Sequence, residues 1–164
     1  MKQLLLVRHA KSSWDDFSIK DFDRQLNERG KKDAPMMAKR LLKKDIDIDA
    51  FISSPAKRAR KTAEAFAKEY DEKKADVIFV DELYLASPSV FTDVIKKVDD
   101  RYKTIAVFSH NEGITQFANT LTDTRTDNIP TSGVFAVKIK TKHWKEFEEA
   151  EKEFWFFDYP KADE

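Results

Sequence analysis

Three short pieces of this sequence place reactive side chains directly after apolar runs. The first is Lys2-Gln3-Leu4-Leu5-Leu6-Val7-Arg8-His9-Ala10-Lys11-Ser12, where a buried-strand pattern runs into an Arg-His pair. Arginine offers a planar fork that binds phosphate or carboxylate bidentately. Histidine serves as nucleophile, base or metal ligand. The second piece, Ser53-Ser54-Pro55, leads into a basic stretch with Lys57, Arg58, Arg60 and Lys61. The third is Phe108-Ser109-His110, again an apolar run closed by a histidine. Ligands of open α/β sheets bind beyond the carboxyl ends of the strands. If these runs are neighbouring parallel strands, Arg8, His9, Arg58 and His110 converge there. A helix N-terminus would add free amides and partial positive charge, which together suit a phosphate.

The elements that would have to position these groups alternate between strand and helix. After the first strand comes a polar stretch, 12–25, with turn-forming residues around Trp14 and Phe17. A helix is expected over 27–44, capped by Asn27, with Ala34, Met37, Ala38, Leu41 and Leu42 on its apolar face. Residues 49–53 read as a strand, and Pro55 is expected in the first turn of a helix reaching about Tyr70. Residues 77–80 form a third strand, Ser87-Pro88 starts a helix, 104–108 is a fourth strand, and 113–121 is helical. In the last third, 134–139 and 153–159 read as strands, with some antiparallel pairing expected there. The charged run 145–152 is expected to be solvated, and the aromatic run Phe154-Trp155-Phe156-Phe157 is expected in the core. This pattern gives an α/β fold: three layers, α/β/α, around a mostly parallel central sheet.

Composition narrows the function. The 164 residues suit a single domain, 1–164, with a substantial core. Thirty basic and 30 acidic residues cancel, which argues against a dedicated nucleic-acid or membrane-surface protein. With no cysteine, disulfides, thiolate metal sites and thiol nucleophiles are excluded. No signal peptide or membrane span is legible, so the expected location is the cytoplasm. The arginines beside both motif histidines repel cations, so neither a metal site nor a cofactor is expected. His143 matches no motif and is expected at the surface.

Arg8-His9-Ala10-Lys11-Ser12, Ser54-Pro55-Ala56-Lys57-Arg58-Ala59-Arg60-Lys61-Thr62 and Ser109-His110-Asn111-Glu112-Gly113 together resemble the histidine phosphatase superfamily, which includes the phosphoglycerate mutases. Asp23-Arg24-Gln25-Leu26-Asn27-Glu28-Arg29-Gly30 resembles the stretch leading into that family's first helix. Alanine after the histidine, the small size and the lack of a large lid insertion resemble the SixA-type phosphohistidine phosphatases in particular. The resemblance implies a phosphoglycerate mutase-like fold. It makes His9 a nucleophile that forms a covalent phosphohistidine, neutral at the attacking nitrogen because its other nitrogen donates to a backbone carbonyl. Arg8 and Arg58 would clamp the phosphoryl oxygens, and His110, protonated or donating, would lie on the same group. Ser12 and the Asn111 amide are candidate further donors.

The general acid stays open. Family register places it near Leu85, where no acid stands; Glu82 is the nearby candidate, Asp15 a weaker one, and solvent the third. Missing both a placed acid and a lid, the site is expected to be shallow and open. The resemblance thus implies a monomeric phosphatase acting on phosphohistidine in a phosphorylated protein. The alternatives are a phosphomonoesterase for a small molecule and a non-catalytic phosphate-binding module.

Overall fold

The computed structural model describes residues 1–162. Its sheet has six strands in the order β3-β2-β4-β1-β5-β6: β1 (Lys2–Arg8), β2 (Ala50–Ser53), β3 (Ile78–Phe79), β4 (Thr104–Ser109), β5 (Val134–Ile139) and β6 (Lys152–Asp158). Strands β1 to β4 are parallel, and β5 and β6 join antiparallel at one edge. Alternation along β1 divides the core. Leu4 and Leu6 face one cluster with Phe91, Phe117 and Trp144, whereas Leu5 and Val7 face another with Met37, Phe66 and Phe108. Helices α1 (Glu28–Lys43) and α2 (Lys57–Glu69) cover the second face; α3 (Pro88–Lys96) and α4 (Gly113–Leu121) cover the first. The fold is therefore the three-layer α/β/α arrangement.

Local chemistry explains most element ends. The Asn27 side chain accepts from the Gly30 amide at 2.8 Å, which caps α1. Pro88 occupies the first turn of α3, where its missing N–H costs nothing. Pro55, by contrast, lies outside α2, whose N-cap is Ala56 with no side-chain hydrogen bond. Ser54 Oγ accepts the Ala56 N–H at 3.3 Å and also meets His110 Nε2 at 2.7 Å. The aromatic run is not interior either. Strand β6 is an edge, with Phe154 exposed and Trp155, Phe156 and Phe157 half-buried against both core clusters. Trp155 and Phe156 join one cluster and Phe157 the other, because a register shift opposite Ala136 and Val137 breaks the strand's alternation. The charged run is exposed as expected, pinned by buried Trp144 and Phe147.

Candidate active site

Strand register brings the three chemistry-bearing pieces together. Arg8 pairs with Ser109 across β1 and β4, and Ser53 with Phe108 across β2 and β4. His9, Ser54 and His110 therefore follow three adjacent strand ends. Backbone bonds continue the alignment past the strands: His9 N–H donates to Ser109 at 3.1 Å and Ser54 N–H to Phe108 at 2.9 Å. The His9 and His110 rings lie 5.2 Å apart, and Arg58 Nε is 3.3 Å from His9 Nε2. His9, Arg58 and His110 are all buried.

The His9 ring is held in one tautomer. Its Nδ1 is 2.7 Å from the Ala10 carbonyl, an acceptor, so Nδ1 carries the proton and Nε2 keeps its lone pair. Burial, with Arg58, Arg8 and Arg24 nearby, pushes the ring down to about 3 against the support of the Ala10 bond. The ring is neutral at pH 7. Ala10 is itself fixed: its N–H donates to Thr62 Oγ1 at 2.8 Å, and that hydroxyl donates to the Arg58 carbonyl at 2.7 Å. One threonine on α2 thus ties the nucleophile segment to the arginine's own helix turn. His110 is neutral too, pushed down to about 2 by burial, then by Arg58 and His9. Its Nε2 is 2.7 Å from Ser54 Oγ, and its Nδ1 is buried with no hydrogen-bond partner among the described residues.

Cations surround the pair. Arg8 Nη1 donates to the Ile129 carbonyl at 3.0 Å, while its buried Nε has no hydrogen-bond partner among the described residues. A third arginine, Arg24, is buried at the site's edge with Nη1 unpaired and its guanidinium 3.4 Å above the Trp14 ring. Residues 13–25 cross the mouth of the site, and Asp21, in a short 3-10 turn (Asp21–Asp23), bonds to both Arg58 and Arg24. The site is therefore covered rather than shallow and open, and the cover is a loop between β1 and α1, not an inserted lid.

The other candidates lie elsewhere. Glu82 is exposed in a groove of about 470 Å³ shared with Ile52, Val80, Val90, Val94 and Tyr102, and the histidines and arginines of the site do not line it. From that segment it is Tyr84 that reaches the site. Its ring meets His110 edge-on at 5.5 Å and its hydroxyl bonds Asp21. The Ser109 hydroxyl, donating to the Leu83 carbonyl at 2.6 Å, holds this segment in place. Leu85 is exposed, with φ of 52°. Asp15 is exposed on the loop. Ser12 is fixed by a backbone bridge to Leu26, and its hydroxyl makes no hydrogen bond among the described residues. The Asn111 amide group is engaged with Asn128 and with Thr115, the latter at 2.6 Å. His143 pairs with Asp100 at the surface. Ser54 stood inside the second motif, and Asp21 and Tyr84 had no signal in the sequence as site residues. Arg24 did, standing inside the motif that precedes α1.

With this geometry in view, comparisons with known proteins agree. Residues 4–84 match the histidine phosphatase superfamily (branch 1). An uncharacterized chloroplastic protein of Arabidopsis thaliana is 31% identical over 128 residues, 73% of this chain; the match spans only 59% of that relative's length. An uncharacterized Mycobacterium leprae protein is 30% identical over 167 residues, covering 94% of this chain and 100% of that one. Phosphoserine phosphatase 1 of Hydrogenobacter thermophilus is 34% identical over 107 residues, 63% of this chain and 50% of that one. Among solved structures, the protein histidine phosphatase SixA complexed with tungstate superposes with a TM-score of 0.83 at 18% identity, covering 99% of each chain. A SixA structure from Agrobacterium tumefaciens gives 0.80 at 22% identity, covering 97% of this chain and 98% of that one. The chain has the SixA-type fold and belongs to the histidine phosphatase superfamily, branch 1.

Proposed function

We propose that this protein is a phosphatase that removes the phosphoryl group from phosphohistidine on another protein, by way of a phosphohistidine on His9. The observation that carries this reading is His9 itself: a neutral imidazole, locked by Ala10, with its unprotonated Nε2 accepting from Arg58 Nε–H. In the first step Nε2 attacks phosphorus, the bond from phosphorus to the substrate nitrogen breaks, and that imidazole takes a proton from solvent. Water then attacks the same phosphorus, the bond to Nε2 breaks, and orthophosphate leaves with His9 neutral again. Arg8, Arg24 and Arg58 balance the charge of the transferring group, and His110 is the fourth contact. For a neutral His110 to help, Ser54 donates to Nε2 and the ring proton stays on Nδ1, aimed at a phosphoryl oxygen.

The chemistry of the leaving group supports phosphohistidine over an ester. Imidazole titrates near ~6.5 and can be protonated by solvent, whereas an alkoxide needs a placed acid that contributes about 10²–10⁴-fold. Glu82 sits outside the site. Asp21 is ionised: burial works to raise its pKa, but the Tyr84 hydroxyl and Arg58 outweigh that and hold it below the usual carboxylate range. An ionised carboxylate donates no proton. All these side chains come from one chain, which suits a monomer, and the cysteine-free composition suits the cytoplasm. The phosphoserine phosphatase among the relatives favours a second reading, hydrolysis of a small phosphomonoester.

Brief exposure to a phosphoryl donor should label the protein with an acid-labile, alkali-stable phosphoramidate. His9→Ala should abolish both label and turnover; turnover surviving in that variant removes His9 as nucleophile. In a substrate panel, efficient hydrolysis of an alkyl phosphate with no activity on several phosphohistidine proteins would promote the second reading.

A further inference from the structure

Asp21 sits where an arriving anion would be held. Arg58 Nη1 donates to the Asp21 carbonyl at 2.7 Å and Nη2 to its Oδ2 at 3.1 Å. Arg24 Nε donates to Oδ1 at 3.2 Å, and the Tyr84 hydroxyl to Oδ2 at 2.6 Å. Arg58 therefore spends Nε on the nucleophile and a terminal nitrogen on a carboxylate. The carboxylate lies at the water boundary, its side chain 44% exposed, while His9 behind it is 6% exposed.

We propose that Asp21 is an internal competitor of phosphate for Arg58, covering the site when it is empty, giving way to a substrate's phosphoryl group, and returning as orthophosphate departs. This rests on the reading of His9 and Arg58 as a phosphoryl site. Two anions on one guanidinium repel each other: at 4 Å the cost is about 1 kcal/mol in bulk water and about 4 at the dielectric of a protein surface. One must leave, and the loop is built to let Asp21 go. Phe17 is 91% exposed and Trp14 64%, with Trp14 stacked on Arg24 and Phe22 edge-on to Tyr84, and segments with so little buried apolar surface open at low cost. Free orthophosphate brings no contacts beyond its own oxygens, so it meets the full competition. A phosphorylated side chain on a protein also brings surface to the exposed rim of Trp14, Phe17, Phe22 and Leu85, which offsets the displacement. Asp21 therefore selects against the product and in favour of phosphoryl groups carried on a large partner.

The test is calorimetric titration of the intact protein with inorganic phosphate. Asp21→Asn keeps the size and can still accept from Tyr84, but removes the charge; phosphate should bind it about tenfold more tightly than wild type, equivalent to about 1.4 kcal/mol. Tyr84→Phe removes the hydroxyl that holds the carboxylate, and should tighten phosphate binding by a smaller factor. If Asp21 only braced the loop, both variants, folded by circular dichroism, would bind phosphate less tightly. Unchanged or weaker binding in Asp21→Asn overturns the proposal and leaves the phosphoryl site standing. If neither wild type nor Asp21→Asn takes up phosphate, the phosphoryl-site reading falls and the competitor role falls with it.

Discussion

His9 and His110 are neutral imidazoles buried among guanidinium groups, and burial is the first cause of both depressions, to about 3 and about 2. In the unfolded chain the same rings titrate near ~6.5. Between those values the unfolded state binds more protons than the folded one, so stability rises with pH. It is fully present above pH ~6.5 and drains away as pH falls toward the folded values, each ring contributing up to about 1.4 kcal/mol per pH unit. The thermal midpoint should therefore drop between pH 7 and 5, before most carboxylates titrate, and His110→Gln should make that slope shallower. Parallel slopes for the variant and wild type would show that His110 is not held neutral by the fold. These two rings, with Arg8 and Arg58, were legible because each closes an apolar run or opens a basic helix. Asp21 and Tyr84 were not, because each acts through a contact with Arg58 or His110 that only the path of a loop can create. Acid residues abound in 13–25, and nothing in their spacing distinguishes Asp21 from Asp15, Asp16 or Asp23.

At the scale of elements, the site depends on helices pressed against the segments that follow the strands. Gly30 in α1 lies so close to Lys11 that a Cβ there would sit 2.2 Å from its carbonyl oxygen; at Gly113 in α4 a Cβ would be 1.7 Å from that of Ala86. Both helices thus pack by backbone against the stretches carrying His9 and Tyr84. Thr62 does the same for α2 by hydrogen bonds rather than by contact. Thr62→Val keeps the shape but leaves the buried Ala10 amide without a partner, a loss of about 1–3 kcal/mol. Urea midpoints should show that loss, and kcat should fall as the Ala10 carbonyl that orients His9 shifts; Thr62→Ser, which keeps the hydroxyl, should restore most of both. Stability and kcat unchanged in Thr62→Val would mean that this bond does not position the nucleophile. Strand and helix alternation, the Asn27 cap and the Pro88 start were readable because each rests on local chemistry. Pro55 lies just ahead of α2, whose N-cap is Ala56, and no local signal separated the two positions. The edge position of β6 depends on which strand pairs with β5, and no local signal in β6 records that pairing.

Over the whole molecule, acidic and basic residues balance, yet the three arginines and two histidines of the site concentrate donors where the parallel strands end. Phosphoryl transfer asks for alignment and charge neutralisation, and many enzymes supply the second with Mg²⁺. In the proposed mechanism Arg8, Arg24 and Arg58 supply it, and their charge repels a divalent cation from the same volume. The one carboxylate in contact with Arg58 among the described residues, Asp21, already bonds two guanidiniums and a tyrosine hydroxyl. A cation would have to strip it from all three partners and then find further oxygen ligands, of which hard cations want six or more. Dialysis against EDTA should therefore leave phosphatase turnover within about twofold of the untreated protein, and added Mg²⁺ should not raise it further, whereas loss of Arg58 should cost about 10²–10³ in kcat, the scale of a single transition-state donor. A collapse after EDTA that a divalent ion restores would mean that the arginines do not carry the charge of the transferring group.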